Sequence, residues 1–165
     1  MSFTTRRLYF LRHGRADRSA YLGDDDRLRP LTDEGRERMA AQAAALAELD
    51  LGCDVILTSP LARCRQTADI VGEALGLADE VHEAKVLGPG FVVKDLKDLL
   101  DGYGHCGTLM LVGHEPDFSE VVSRLTGGSN LVLKKGGLAR VDLFSGFSGL
   151  AGDLIWLIPP KVLAR

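Results

Sequence analysis

The chain has 165 residues, 45% of them hydrophobic and 26% charged, with a formal net charge of −3. That length fits one domain able to bury roughly two-thirds of the surface its unfolded form exposes. The acidic balance excludes the basic stripe of a nucleic-acid-binding protein, and no apolar run approaches the length of a membrane span.

Residues 7–11 read as a buried strand, short and apolar, that ends on Arg12-His13-Gly14. Residues 14–31 are polar and irregular, with Asp24-Asp25-Asp26 followed by Arg29-Pro30. Long loops beside a candidate site tend to be lids or binding segments. The three carboxylates are consecutive, so they do not share one face of an element, and they read as a solvated face instead of a metal box. Thr32 is expected to cap a helix over residues 33–49, with Asp33 and Glu34 where the helix dipole favours anions. Met39, Ala43, Leu46 and Leu49 would form its apolar stripe, and Gly52 would end it.

A second strand is expected over 54–58. Ser59-Pro60 then predicts a helix with a serine N-cap and proline at its first position, running to about Leu75 with Arg63, Arg65 and Thr67 in its early turns. Residues 80–91 hold one weak strand and the Gly88-Pro89-Gly90 turn. An amphipathic helix follows over 92–101 (Val92, Val93, Leu96, Leu99, Leu100). The run 108–112 is the third clear strand, leading through Gly113-His114-Glu115-Pro116 to a helix that reaches Leu125 and stops at Gly127-Gly128. The segments 138–144 and 153–157 predict two adjacent strands joined by the Gly-rich stretch 145–152. Alternating strands and helices predict an α/β fold, a three-layer α/β/α sandwich on a mostly parallel sheet.

The three cysteines, Cys53, Cys64 and Cys106, are odd in number and include no C-x-x-C pair. They read as buried or half-buried thiols of a reducing compartment. Arg6 and Arg7 precede an apolar stretch too short for a signal peptide, so a cytoplasmic location is expected.

Right-handed crossovers put the carboxyl ends of parallel strands on one edge, where ligands bind in open α/β sheets. Three strand-to-helix junctions would bring Arg12, His13, Arg63 and His114 to that edge. An imidazole there can attack phosphorus while guanidinium forks hold phosphate oxygens. Each residue also has a plain alternative: a packed strand-end histidine, a helix-surface arginine, a histidine satisfying its own loop. Arg63, however, sits near a helix N-terminus, where the dipole disfavours a cation unless an anion is bound. A metal held by His13, His114 and Asp17 is disfavoured by the adjacent arginines.

These motifs resemble those of the histidine phosphatase superfamily, also called phosphoglycerate mutase-like, and most of all its small bacterial branch, the SixA-like phosphohistidine phosphatases. Arg12-His13-Gly14 matches the nucleophile motif, Thr58 to Ala68 the second-arginine motif with Arg63 as the phosphate-binding position, and Leu111 to Pro116 the second-histidine motif. Arg29-Pro30-Leu31-Thr32 followed by Gly35 resembles the segment before the first helix of the small branch. The likeness spans nearly the whole chain and implies a single domain over 1–165.

The resemblance implies two-step phosphoryl transfer through a phosphohistidine at His13, with Arg12, Gly14, Asp17, Arg63 and His114 as substrate-binding residues and no metal or other cofactor. Candidates for the leaving-group proton are Glu115, Glu83, Asp17 or solvent. Glu115 follows His114 directly, though a first-turn helix acid is an equally ready explanation for it. The implied substrate is a phosphohistidine in a protein partner, because so short a chain leaves little material for a deep specificity cap. A small phosphorylated metabolite and a non-catalytic phosphate-binding module are the alternatives. No nucleic acid or membrane partner is expected, and the oligomeric state is open.

Overall fold

The computed structural model describes residues 5–146 and 149–164. Its strands are β1 (Arg6–Arg12), β2 (Val55–Thr58), β3 (Val81–Glu83), β4 (Thr108–Gly113), β5 (Leu138–Gly146) and β6 (Gly149–Ile158). Its helices are α1 (Asp33–Glu48), α2 (Ala62–Ala74), α3 (Val93–Gly102), α4 (Asp117–Leu125) and the short α5 (Pro160–Leu163). One six-stranded sheet has the order β3-β2-β4-β1-β5-β6. β3, β2, β4 and β1 run parallel, while β5 and β6 complete it as an antiparallel pair.

The period-2 alternation of the buried strands sorts their side chains onto two faces. Leu8 and Phe10 of β1 join Leu109 and Leu111 of β4 against Leu96 and Leu100 of α3 and Phe118 and Val122 of α4. Tyr9, Leu11, Met110 and Val112 face Met39, Ala43 and Leu46 of α1 and Ala68 and Val71 of α2. The expected three-layer α/β/α arrangement is therefore present. Arg6 fastens the far end of β1 to α3 by donating to the carbonyls of Leu100, Tyr103 and Cys106.

The sheet order makes the site. β1 leads through α1 to β2, but β4 lies between them, so the chain reverses its winding direction beside β1. The crevice beyond the carboxyl ends of neighbouring strands at such a switch point is where α/β sheets bind ligands. β1 and β4 meet there through His13 N–H, which donates to the Gly113 carbonyl at 3.1 Å.

Several local expectations need correction. α1 stops at Glu48, and the left-handed residue beyond it is Asp50 (φ 50°), not Gly52. Leu49 is 61% exposed, because the buried stripe ends at Leu46 and the inward face continues instead through the polar Gln42. Ser59 does not cap α2, which starts at Ala62 with Leu61 as its flanking residue; its hydroxyl serves the site instead. Val92 lies outside α3 and is half-exposed, while Phe91 turns inward. The Gly-rich stretch 145–152 is mostly strand, and its residues 147–148 lie outside the described ones. Among the described residues, no helix is long and apolar enough to cross a membrane.

Candidate active site

β1 delivers Arg12 and His13, β2 leads through Ser59 to Arg63 in the first turn of α2, and β4 delivers His114. His13, Arg63 and His114 are all buried, and the two imidazole centroids lie 5.5 Å apart. The sequence-predicted quartet is thus brought together at one strand edge.

His13 Nδ1 sits 2.7 Å from the Gly14 carbonyl, which can only accept. The ring proton therefore belongs on Nδ1, and the lone pair on Nε2. Burial first, then Arg63, His114 and Arg12, hold this imidazole down to about 3 despite the stabilising Gly14 contact. It is neutral at physiological pH, as a nucleophile must be. His114 is held at about 4, again mainly by burial, with Arg63 and Arg12 lowering it and Asp117 and Asp26 opposing. Both guanidiniums thus act on both imidazoles.

Gly14 is fixed rather than loose. A Cβ on it would lie 2.6 Å from Met39 Cγ, its carbonyl holds His13, and its N–H donates to Thr67 Oγ1 at 3.1 Å. Thr67 in turn donates to the Arg63 carbonyl at 2.7 Å, linking the nucleophile's turn to the helix that carries Arg63. Ser59 Oγ lies 2.7 Å from His114 Nε2 and accepts the Leu61 N–H at 3.3 Å. Cys64 lies against the same ring at 3.5 Å from Nε2, but burial pushes its thiol up to about 12, so it stays protonated.

Arg12 donates to the Leu133 carbonyl at 3.0 Å, and Arg63 to the Asp26 carbonyl at 3.0 Å with the Asp26 carboxylate 3.3 Å away. Among the described residues, the buried Nε–H groups of Arg12 and Arg63 find no acceptor. A buried unpaired donor costs about 1–3 kcal/mol, a cost that an anion bound between the two arginines would offset. Arg7 shares this lack of a partner at Nε, but it lies at the opposite end of β1 beside Asp142.

The remaining candidates fall elsewhere. The Glu115 carboxylate accepts from Ser119 N at 3.0 Å and from the Ser119 hydroxyl, tying it to the first turn of α4. Its charge still reaches Arg12, whose pKa it raises against the larger lowering by burial. Asp17 pairs with Arg15 at 2.7 Å and Lys135 at 3.9 Å. Glu83 is exposed, 4.0 Å from Arg65. Among the described residues, no cluster of three or more His, Cys, Asp or Glu has metal-binding geometry.

Sequence reasoning missed Asp26, Ser59 and the segment 133–137. Asp26 sits in a run of acids that looks like a solvated face, yet it pairs with Arg18, Arg29 and Arg63, and its hydrogen bond with Arg29 leads the effects that hold its carboxyl at about 2. The 133–137 segment grips the nucleophile's backbone. Gly136 N–H donates to the Arg12 and His13 carbonyls, Arg12 N–H donates to the Gly137 carbonyl, and buried Gln42 holds the Gly136 carbonyl at 2.8 Å.

Residues 8–86 match the family description of the histidine phosphatase superfamily, branch 1. An uncharacterized protein of Picosynechococcus sp. is 38% identical over 167 residues, covering 94% of this chain and 98% of that one. The solved structure of the protein histidine phosphatase SixA complexed with tungstate superimposes with a TM-score of 0.81 at 25% identity, over 95% of this chain and 99% of that one. A mycobacterial glucosyl-3-phosphoglycerate phosphatase, solved with VO3, shares the fold with a TM-score of 0.69 at 18% identity, over 92% of this chain and 98% of that one. The chain belongs to the histidine phosphatase superfamily.

Proposed function

We propose that the protein is a phosphatase whose covalent intermediate is a phosphohistidine at His13, and that its physiological substrate is a phosphohistidine carried by a protein partner. The single observation behind the chemistry is the neutral, buried His13, with Nδ1 tied to Gly14 and Nε2 left to attack, between two arginines with unused buried N–H groups.

In the first step the Nε2 lone pair attacks phosphorus and the bond to the leaving group breaks, with its electron pair going to the leaving atom. Arg12, Arg63 and His114 stabilise the charge that spreads over the equatorial oxygens of a loose transition state. The Ser59 hydroxyl, which accepts from Leu61 and lies 2.7 Å from His114 Nε2, holds the His114 ring in place beside His13. In the second step water attacks the phosphohistidine, inorganic phosphate departs, and the electron pair returns to Nε2. The guanidiniums supply the positive charge that magnesium provides in kinases, so the reaction runs without a metal ion.

The placement of the carboxylates supports this substrate class. Glu115 is occupied by Ser119, and Glu83 and Asp17 are paired to cations. A P–N bond, whose imidazole leaving group takes a proton from solvent, depends least on an enzymic acid. The likeness to SixA supports the same substrate class. A turnover panel of phosphohistidine peptides, sugar phosphates, phosphoglycerates and nucleotides, run with and without EDTA, tests both parts. The highest kcat/KM should fall on phosphohistidine peptides and be unaffected by the chelator. High activity confined to one sugar or nucleotide phosphate would assign the site to a small metabolite.

A further inference from the structure

Beside the phosphate site lies a groove of about 400 Å³ that includes Arg12 and Gly14 in its lining and continues over Arg15, Arg38, Lys134 and Lys135. Five cations among its lining residues stand out in a chain of net charge −3. Two carboxylates pair with them: Glu34 with Arg15 and Arg38, and Asp17 with Arg15 and Lys135. Among the described residues Lys134 makes no ion pair. The groove therefore keeps a surplus of positive charge next to the reacting centre.

We propose that this groove docks an acidic segment of the protein that carries the phosphorylated histidine. The inference rests on the substrate class proposed above and adds which feature of that partner is recognised. Its cations come from the end of β1 and the loop after it, from α1 and from the loop before β5. The side chains of Arg15, Arg38 and Lys135 are 45%, 63% and 42% exposed. A pocket built for a small diacid would enclose its cations, whereas these face solvent and fit a surface brought by a macromolecule. Complementary charge at such a rim acts on encounter and orientation, with strong salt dependence. The lysines are also held in register with the chemistry, because Gly136 and Gly137, directly after Lys135, bond to the backbone of Arg12 and His13.

The test compares phosphohistidine peptides with Asp/Glu-rich and with neutral flanks, using the wild type and the Lys134→Glu, Lys135→Glu double variant. Hydrolysis of p-nitrophenyl phosphate reports folding and basal chemistry. The wild type should prefer the acidic-flanked peptide by roughly tenfold in kcat/KM at low ionic strength, with the preference shrinking as salt is added. The double variant should lose that preference, read as the ratio of kcat/KM for the two peptides, so that any change in basal turnover, followed with p-nitrophenyl phosphate, divides out. A Lys134→Gln, Lys135→Gln variant should show a partial loss and serves if charge reversal disturbs the loop. Equal kcat/KM for the two peptides in the wild type, or a preference that survives both variants, overturns the proposal. If neither phosphohistidine peptide turns over, the substrate reading fails. The groove is then read by inhibition of p-nitrophenyl phosphate hydrolysis by an unphosphorylated acidic peptide. Inhibition lost in the variants supports docking, and no inhibition of the wild type, or inhibition equalled by small diacids, refutes it.

Discussion

Replacing His13 with glutamine isolates what it costs to bury a histidine at the edge of this sheet. Burial, with Arg63, His114 and Arg12 adding to it, lowers the imidazole from an ordinary 6.5 to about 3. Between those values the unfolded chain binds a proton that the folded chain refuses, so stability must fall as pH falls. The contribution of His13 is complete above about pH 6.5 and is lost progressively towards about pH 3. Each pKa unit is worth about 1.4 kcal/mol, and the linkage relation gives a loss of about 2 kcal/mol between about pH 7 and about pH 5. His114, held at about 4, adds a slope of its own, but it is present in both proteins and largely cancels in the comparison. Urea unfolding followed by the fluorescence of the single tryptophan, Trp156, which stacks on Tyr9, provides the assay. From about pH 7 to about pH 5 the wild type should lose about 2 kcal/mol more than His13→Gln. Equal losses would mean that His13 titrates like an exposed histidine, and would refute burial as the source of its neutrality.

Arg63→Ala should lower kcat/KM by roughly 10²–10³-fold, the scale of losing one charge-stabilising donor. Arg63→Lys should recover only part, since an ammonium cannot make the bidentate fork, and full recovery would contradict that role. Glu115→Gln should leave phosphohistidine-peptide hydrolysis within about threefold, while large equal losses on peptides and aryl phosphates would point to Glu115 orienting His114 or water. Gly136→Ala should destabilise the fold by about 1–3 kcal/mol in thermal melts. Gly136 has φ 78°, and a Cβ there would lie 2.6 Å from Gln42 Oε1, so an unchanged Tm would contradict this packing.

The parts of the molecule legible in the sequence were those whose signal is local. Apolar runs mark β1, β2 and β4, and the order of strands and helices alone places Arg12, His13, Arg63 and His114 on one edge. Partners chosen by tertiary contact left no such mark. Asp26 looks like its neighbours Asp24 and Asp25, and only the path of the loop brings it to Arg63, 37 residues away. Leu133 and Gly136 act through backbone carbonyls and N–H groups, which every sequence possesses. Ser59 before a proline imitates a helix cap, so its contact with His114 was hidden behind a commoner local meaning. Leu49 continues the helical period of α1 but falls beyond the last turn, where it is exposed.

In the proposed reaction His13 carries the phosphoryl group between substrate and water. Rapid quench of the enzyme with substrate labelled in its phosphoryl group, followed by peptide mapping, measures this directly. The label should appear on His13 within one turnover, in a linkage stable to alkali and labile to acid, and His13→Ala should trap none. Label recovered on a serine, a cysteine or a carboxylate, or steady turnover by His13→Ala, would contradict the account.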